Sequence, residues 1–325
     1  MKALLCRQLG SADLMAIETI ASPEPRANEV VIKVKAAGLN FFDTLIIAGK
    51  YQYRPDLPFS PGAEVAGTLV KIGKDVQGLS LGDRVMAFTG WGGLREEAVA
   101  KAEKVIVLPD DVGEEAAAVL QVTYGTALHA LQDRALLKAG ETLVVLGAAG
   151  GTGQAAIELG KLLGAKVIAV ASSDEKLEFC RSAGADEAIN SAREDVKLRL
   201  KELTRGEGAD VIFDPVGGTL TETTFRAIAW GGRHLVIGFA AGEVPRLPLN
   251  LPLLKGASVL GVFWGEHVER APEKHKMNMQ RLLTWLRNKR INPHIDYSCS
   301  LENAKLALTA IANREIKGKA TVVMA

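Results

Sequence analysis

Residues 143–170 read LVVLGAAGGTGQAAIELGKLLGAKVIAV. An apolar run, Leu143 to Leu146, enters a glycine cluster. The cluster opens into a helix-length stretch, and a second apolar run follows at 167–170. Strand, glycine turn, helix and strand in that order make a βαβ unit. Gly150, Gly151 and Gly153 let the backbone turn sharply and let the helix approach the strand closely. The amides near Gly151 and Thr152 then face a pyrophosphate at the helix N-terminus. Ala148 stands at the first of the three spaced glycine positions of GxGxxG, so the loop keeps only two of them.

Downstream, the alternation continues. A helix over 174–183 precedes DEAIN (186–190), and a helix around 196–203 precedes ADVIFD (209–214). RHLVIGF (233–239) and SVLGVFW (258–264) complete six apolar strands. Strands apolar on both faces and separated by helices imply a doubly wound parallel sheet covered on both sides. Upstream of residue 122 the pattern is different: EVVIKVKAAG (29–38), EVAGTLVKIG (64–73), DRVMAF (83–88) and KVIVLP (104–109) are short strands closed by turn residues. That region reads as a β-rich barrel. After Trp264 two helices are expected, about 272–289 and 301–313, and KATVVMA (319–325) returns to the β-rich unit. The expected organisation is an α/β protein. Its β-rich domain comprises 1–122 and 266–325, and its dinucleotide domain comprises 123–265.

Composition narrows the partners. The chain has 325 residues, 48% hydrophobic and 24% charged, with a formal net charge of +1. That balance excludes a disordered tail, a collagen repeat and a disulfide scaffold. It supplies no basic field for nucleic acid or an anionic membrane. Cys6, Cys180 and Cys299 are far apart and lack CxxC spacing, which suits small apolar residues in a reducing cytoplasm. No apolar stretch is long enough to span a membrane.

The end of the second strand speaks to the cofactor. NAD sites place Asp or Glu there to accept from the ribose 2′-hydroxyl. This chain has Ala171, then Ser172, Ser173 and, one turn later, Lys176. A carboxylate would repel a 2′-phosphate, whereas two hydroxyls and an ammonium bind it, so NADPH is favoured. Ser172 and Ser173 also suit the N-cap of the next helix.

The segments AAGLNFFD (36–43), LPFSPGAEVAGTL (57–69), VTYGTALHAL (122–131), GAAGGTG (147–153), FDPVGG (213–218) and GGRHLVIGFAAG (231–242) carry a family resemblance over essentially the whole chain. It resembles the zinc-free medium-chain dehydrogenase/reductases of the quinone oxidoreductase (zeta-crystallin-like) group. The resemblance implies a GroES-like catalytic domain and a Rossmann domain. Where zinc-dependent alcohol dehydrogenases carry a ligand Cys, this chain has Asn40; where they have GHE, it has Gly62-Ala63-Glu64. Zinc sites want three protein ligands including His or Cys, so no metal is expected. The five histidines lack paired spacing and suit helix or surface positions.

By the same resemblance, Asn40 lies beside the nicotinamide ribose and the acceptor, and Thr123 lies near the nicotinamide. Gly238, Phe239 and Ala240 line it, and Val262, Phe263 and Trp264 belong to the last sheet strand, whose backbone binds the carboxamide. Lys319 is expected to reach the cofactor. Tyr51 matches a Tyr near the substrate mouth, where a phenol can donate to a developing enolate or hydroquinone oxygen. Ser191 stands where relatives carry Tyr or His near the adenosine phosphate, with Arg193 close by to compensate. The implied activity is hydride transfer from NADPH to a quinone or another conjugated carbonyl, by a homodimer joined at the last strand. Two alternatives stay open: an enoyl-thioester or 2-alkenal reductase of the same fold, and a non-enzymatic zeta-crystallin-like binding protein.

Overall fold

A computed structural model describes residues 1–324 of the chain. Contacts sort it into two compact units, one of Met1–Val122 together with the segment from Gly265 onward, the other Thr123–Trp264. The first opens with strands β1 (Lys2–Leu5), β2 (Ala16–Thr19), β3 (Glu29–Leu39), β4 (Glu64–Ile72), β5 (Arg84–Phe88), β6 (Glu97–Lys101) and β7 (Val105–Val107). The second holds β8 (Thr142–Leu146), β9 (Lys166–Ala171), β10 (Glu187–Asn190), β11 (Ala209–Asp214), β12 (Ile228–Val236) and β13 (Ser258–Gly261). The chain then returns to the first unit with β14 (Ile295–Ser300) and β15 (Lys319–Val323).

In the first unit the sheet runs β14-β15-β3-β4-β5-β7, with β6 also paired to β3. β3 explains the arrangement. Lys33 and Lys35 point out between buried Ile32, Val34 and Ala36, so its first part is half-solvated. From Ala36 to Leu39 every residue is buried. That end is flanked by β4 and β15: Gly38 pairs Glu64 on one side and Thr321 on the other, and Leu39 pairs Ala320. The core beneath includes Leu4, Val30, Ile32, Leu39, Ile46, Val65, Leu69, Leu308 and Val322.

The second unit is a six-stranded parallel sheet in the order β10-β9-β8-β11-β12-β13. Its direction of winding reverses between β8 and β11, and ligands bind outside the carboxyl ends of the strands at such a switch point. Val144, Leu146, Ile168, Val170, Ile189, Leu200, Ile212 and Phe225 fill one core of this unit. Six apolar strands with helical crossovers were legible in the sequence, and the sheet contains them.

Several boundaries differ. β13 stops at Gly261, so Val262 and Phe263 follow the strand, and Trp264 opens a helix, Trp264–Arg270, that the sequence did not suggest. The next helix is Pro272–Arg287, and the last is Ala304–Ala312 after a 3₁₀ turn at Leu301–Asn303. His234, expected on a helix or at the surface, is fully buried in β12. Among the described residues no helix is long and apolar enough to cross a membrane.

Candidate active site

Within the first unit, strand register gathers four polar side chains in an apolar setting. Asn40, Asp43, Glu64 and Lys319 are all buried. Asn40 precedes the helix Phe41–Ile47 and its backbone N–H donates to Asp43 Oδ2 at 2.8 Å. Gly62 N–H donates to Asp43 Oδ1 at 3.1 Å. The Asn40 side chain turns to other partners: Nδ2 donates to Glu64 Oε1 at 3.1 Å, and Oδ1 accepts from Lys319 Nζ at 2.6 Å. Glu64 Oε2 accepts the Val122 N–H at 2.9 Å.

Burial pushes the Asp43 carboxyl up to about 7, against the two amide bonds and the nearby Lys319 charge, which favour the ionised form. Tyr51 stacks on Phe42 with ring centroids 5.3 Å apart and meets Tyr53 edge-on at 5.7 Å. Burial, with Tyr53 and Asp43 adding to it, pushes its phenol up to about 12, so the proton stays on.

Lys319, which the resemblance allows to reach the cofactor, donates from its buried ammonium to Leu39 O, Asn40 Oδ1 and Glu64 Oε1. The same cluster does not fit a zinc ion. Asn40 offers an amide, Ala63 offers nothing, and the Glu64 carboxylate is already bound by an ammonium at 2.8 Å and a backbone amide.

In the second unit, Gly150 is the N-cap of the helix Gly151–Leu162, and no side chain caps its first turn. The amides of Gly151 and Thr152, expected to face a pyrophosphate, lie in that first turn. Gly153 has no room for a side chain: a Cβ there would lie 2.4 Å from Gly147 O. At the end of β9, Ser173 Oγ accepts from Lys176 N–H at 3.3 Å, so it caps the helix Asp174–Ser182. Ser172 is exposed beside it. Ser191 Oγ donates to Ala171 O at 3.2 Å, which brings β10 to the same corner. The carboxylate in that corner, Asp174, is held by Arg193 Nη1 and Asn190 Nδ2, each at 2.6 Å. Arg193 therefore offsets part of the Asp174 charge in that corner.

Gly238, Phe239 and Ala240 lie in the loop after β12, and Asp214 organises that loop in a way the sequence reading missed. Asp214 Oδ1 accepts from Val216 N–H and Gly217 N–H at 2.9 and 2.8 Å, and Oδ2 accepts from Thr221 Oγ1 at 2.5 Å. His234 Nε2 lies 3.2 Å from Oδ2. Burial opposes the charge, but the His234 and Thr221 bonds outweigh it and hold the carboxyl below its usual range. Ala240 N–H and Ala241 N–H then donate to Pro215 O and Val216 O, at 3.0 and 2.8 Å. The two loops at the carboxyl ends of β11 and β12 thus form one clasp. The motif FDPVGG held the signal for Asp214; nothing local marked His234.

Thr123 is buried in the helix Gln121–Leu128. Trp264 is buried with its indole against Gly125, where a Cβ would come within 2.8 Å. Val262 is buried and donates its N–H to Val236 O at 3.0 Å, while Phe263 is exposed.

Two family models match the chain. One, described as an alcohol dehydrogenase GroES-like domain, covers residues 26–110. The other, described as a zinc-binding dehydrogenase, covers 151–284. The quinone oxidoreductase-like protein 2 homologue of Nematostella vectensis is 36% identical over 324 residues, 99% of this chain and 88% of its own length. The quinone oxidoreductase of Pseudomonas aeruginosa is 32% identical over 97% of both chains. The crystal structure of Escherichia coli quinone oxidoreductase complexed with NADPH matches with a TM-score of 0.93 at 26% identity, covering 99% of this chain and 100% of that one. Identity at this level along nearly the full length, on the same two domain types, places this chain in the quinone oxidoreductase family of the medium-chain dehydrogenase/reductases.

Proposed function

We propose that this protein is an NADPH-dependent, zinc-independent oxidoreductase that delivers hydride to quinones or other conjugated carbonyls. The observation that carries the reading is the polar cluster of the first unit. An ammonium-bound amide and carboxylate stand where a metal would need three ligands, and the neighbouring Tyr51 phenol keeps its proton. Such a site holds and protonates a substrate already activated by conjugation. The nicotinamide supplies the hydride when bound. Asn40 orients, the apolar surroundings exclude water, and Tyr51 offers a proton to the oxygen that becomes basic. Relatives named quinone oxidoreductases, one of them in complex with NADPH, support the same reading. A panel of quinones, enals and enoyl thioesters, assayed with NADPH with and without chelator, tests it. Turnover of quinones or enones that survives chelator is the expected result. Activity lost in chelator and restored by zinc would overturn the metal-free reading.

Cofactor preference follows from Ala171, Ser172, Ser173 and Lys176, with Asp174 tied to Arg193. Lys176→Ala removes one charge-assisted contact, worth roughly 1.5–3 kcal/mol. NADPH affinity should then fall by about 10-fold or more while NADH binding hardly changes. Equal weakening of both cofactors would make Lys176 a structural residue.

The homodimer rests on β13. Among the described residues it is the edge of the six-stranded sheet, with no strand paired to its open side, and Val259 on it is exposed. An unpaired edge of this kind joins an identical edge readily. Sedimentation at micromolar concentration should give a mass near twice 34.6 kDa; a monomer would reject the assignment.

A further inference from the structure

Lys319 is the first residue of β15, 280 positions beyond its hydrogen-bond partner Leu39, and it is 4% exposed. A lysine so deeply buried costs folding energy unless its charge and all three N–H donors are met. Here they are. Nζ donates to Leu39 O at 2.7 Å, Asn40 Oδ1 at 2.6 Å and Glu64 Oε1 at 2.8 Å. Three donors meet three acceptors, and no donor remains for a ligand.

Two effects follow from that saturation. First, the Asn40 amide has one orientation. Its oxygen faces an ammonium and its nitrogen faces a carboxylate; rotating it by half a turn would set NH₂ against NH₃⁺ and oxygen against oxygen. One Nδ2–H stays uncommitted, on a residue 7% exposed. Second, Glu64 shares one oxygen with Lys319 and Asn40, and gives the other to the Val122 N–H, one residue before Thr123. A single ammonium thereby fixes segments near residues 40, 64 and 122 in one network.

We propose that Lys319 is a positioning residue for hydride transfer. It holds the Asn40 amide in its one productive orientation and, through Glu64, anchors the backbone that leads into Thr123, without touching the cofactor. This rests on the reading of Asn40 given under Proposed function. Misorientation of a group that aligns reactants lowers the rate at saturating cofactor rather than cofactor affinity.

The test uses the full chain with NADPH and four variants: Lys319→Met, Lys319→Met with Glu64→Gln, the latter combined with Asn40→Ala, and Asn40→Ala alone. The second variant removes both buried charges together, so it stays folded where Lys319→Met alone leaves Glu64 unpaired. NADPH affinity is read by fluorescence without acceptor, and hydride transfer by single-turnover absorbance. The expected result for Lys319→Met/Glu64→Gln is NADPH affinity within about twofold of wild type and a transfer rate lower by about 10–100-fold, on quinones and enones alike. Adding Asn40→Ala should cost little more, because the residues act as one unit. Weaker NADPH binding at an unchanged rate would assign Lys319 to the cofactor and overturn the proposal. An unchanged rate, or fully additive losses, would overturn it too. Thermal unfolding separates this from failure of the parent reading. Lys319→Met should melt below Lys319→Met/Glu64→Gln even if the wild type reduces none of the acceptors, and the opposite order would refute the anchoring itself.

Discussion

Tyr51→Phe is expected to slow single-turnover enone reduction by about 10²–10⁴-fold while leaving quinone reduction within about twofold. Hydride addition to an enone leaves a strongly basic enolate oxygen that gains from a placed proton donor. The oxygen of a reduced quinone is a far weaker base and takes its proton from water. Tyr51 is equipped to donate. Its phenol is pushed up to about 12 by burial and by the neighbouring Tyr53 and Asp43, so it is protonated across the working pH range. Its ring is fixed by stacking on Phe42 and by the edge contact with Tyr53. Phenylalanine keeps both ring contacts, so the change removes one hydroxyl and little else. NADPH oxidation followed in a stopped-flow instrument keeps product release out of the comparison. Equal rates for the variant and wild type on both acceptors would reduce Tyr51 to a packing residue.

Gly38→Ala is expected to be among the most damaging small substitutions in the first unit. An added Cβ would lie 2.0 Å from Ala118 O and 2.9 Å from Glu64 Oε1. The first atom is backbone and cannot swing aside; the second belongs to the carboxylate that binds Lys319 and Val122 N–H. Overpacking a close-packed interior costs typically about 1–3 kcal/mol, and more where backbone must move. The denaturant midpoint should drop clearly, and the folded fraction should also lose turnover because Glu64 is displaced. Gly113→Ala, where a Cβ would meet nothing within 4 Å, is the control in the same unit and should shift the midpoint much less. A Gly38→Ala protein as stable and active as that control would mean that the sheet yields freely at this point.

The dinucleotide unit was readable because its signals are local. Leu143 to Leu146, the glycines at 150–153 and the strand at 166–171 lie within thirty residues, and each element shows its own period or turn chemistry. Ser173 illustrates both readings of one residue: it caps a helix and still lies in the corner where Ser172, Lys176 and Ser191 gather. What stayed hidden depends on register between distant strands. Nothing near KATVV marks Lys319 as buried; its partners come from pairing Ala320 with Leu39 and Gly38 with Glu64. The approach of His234 to Asp214 likewise comes from parallel pairing of β11 and β12, twenty residues apart. The end of β13 at Gly261 was missed because Val262-Phe263-Trp264 continues the apolar run while the backbone turns into a helix.

The place of β15 in the sheet has a consequence for how the protein is made. This strand lies between β14 and β3, yet its residues emerge from the ribosome only after all of Thr123–Trp264 has been synthesised. The dinucleotide unit is thus complete as polypeptide, and free to fold, while the other sheet still lacks an inner strand and its buried polar cluster lacks an ammonium. A nascent chain stalled before residue 319 would have every residue of the glycine loop before the helix Gly151–Leu162 and none of the Lys319 contacts to Asn40 and Glu64. On the role proposed for Lys319, catalytic competence would await insertion of this strand beside β3, after the dinucleotide unit is complete as polypeptide.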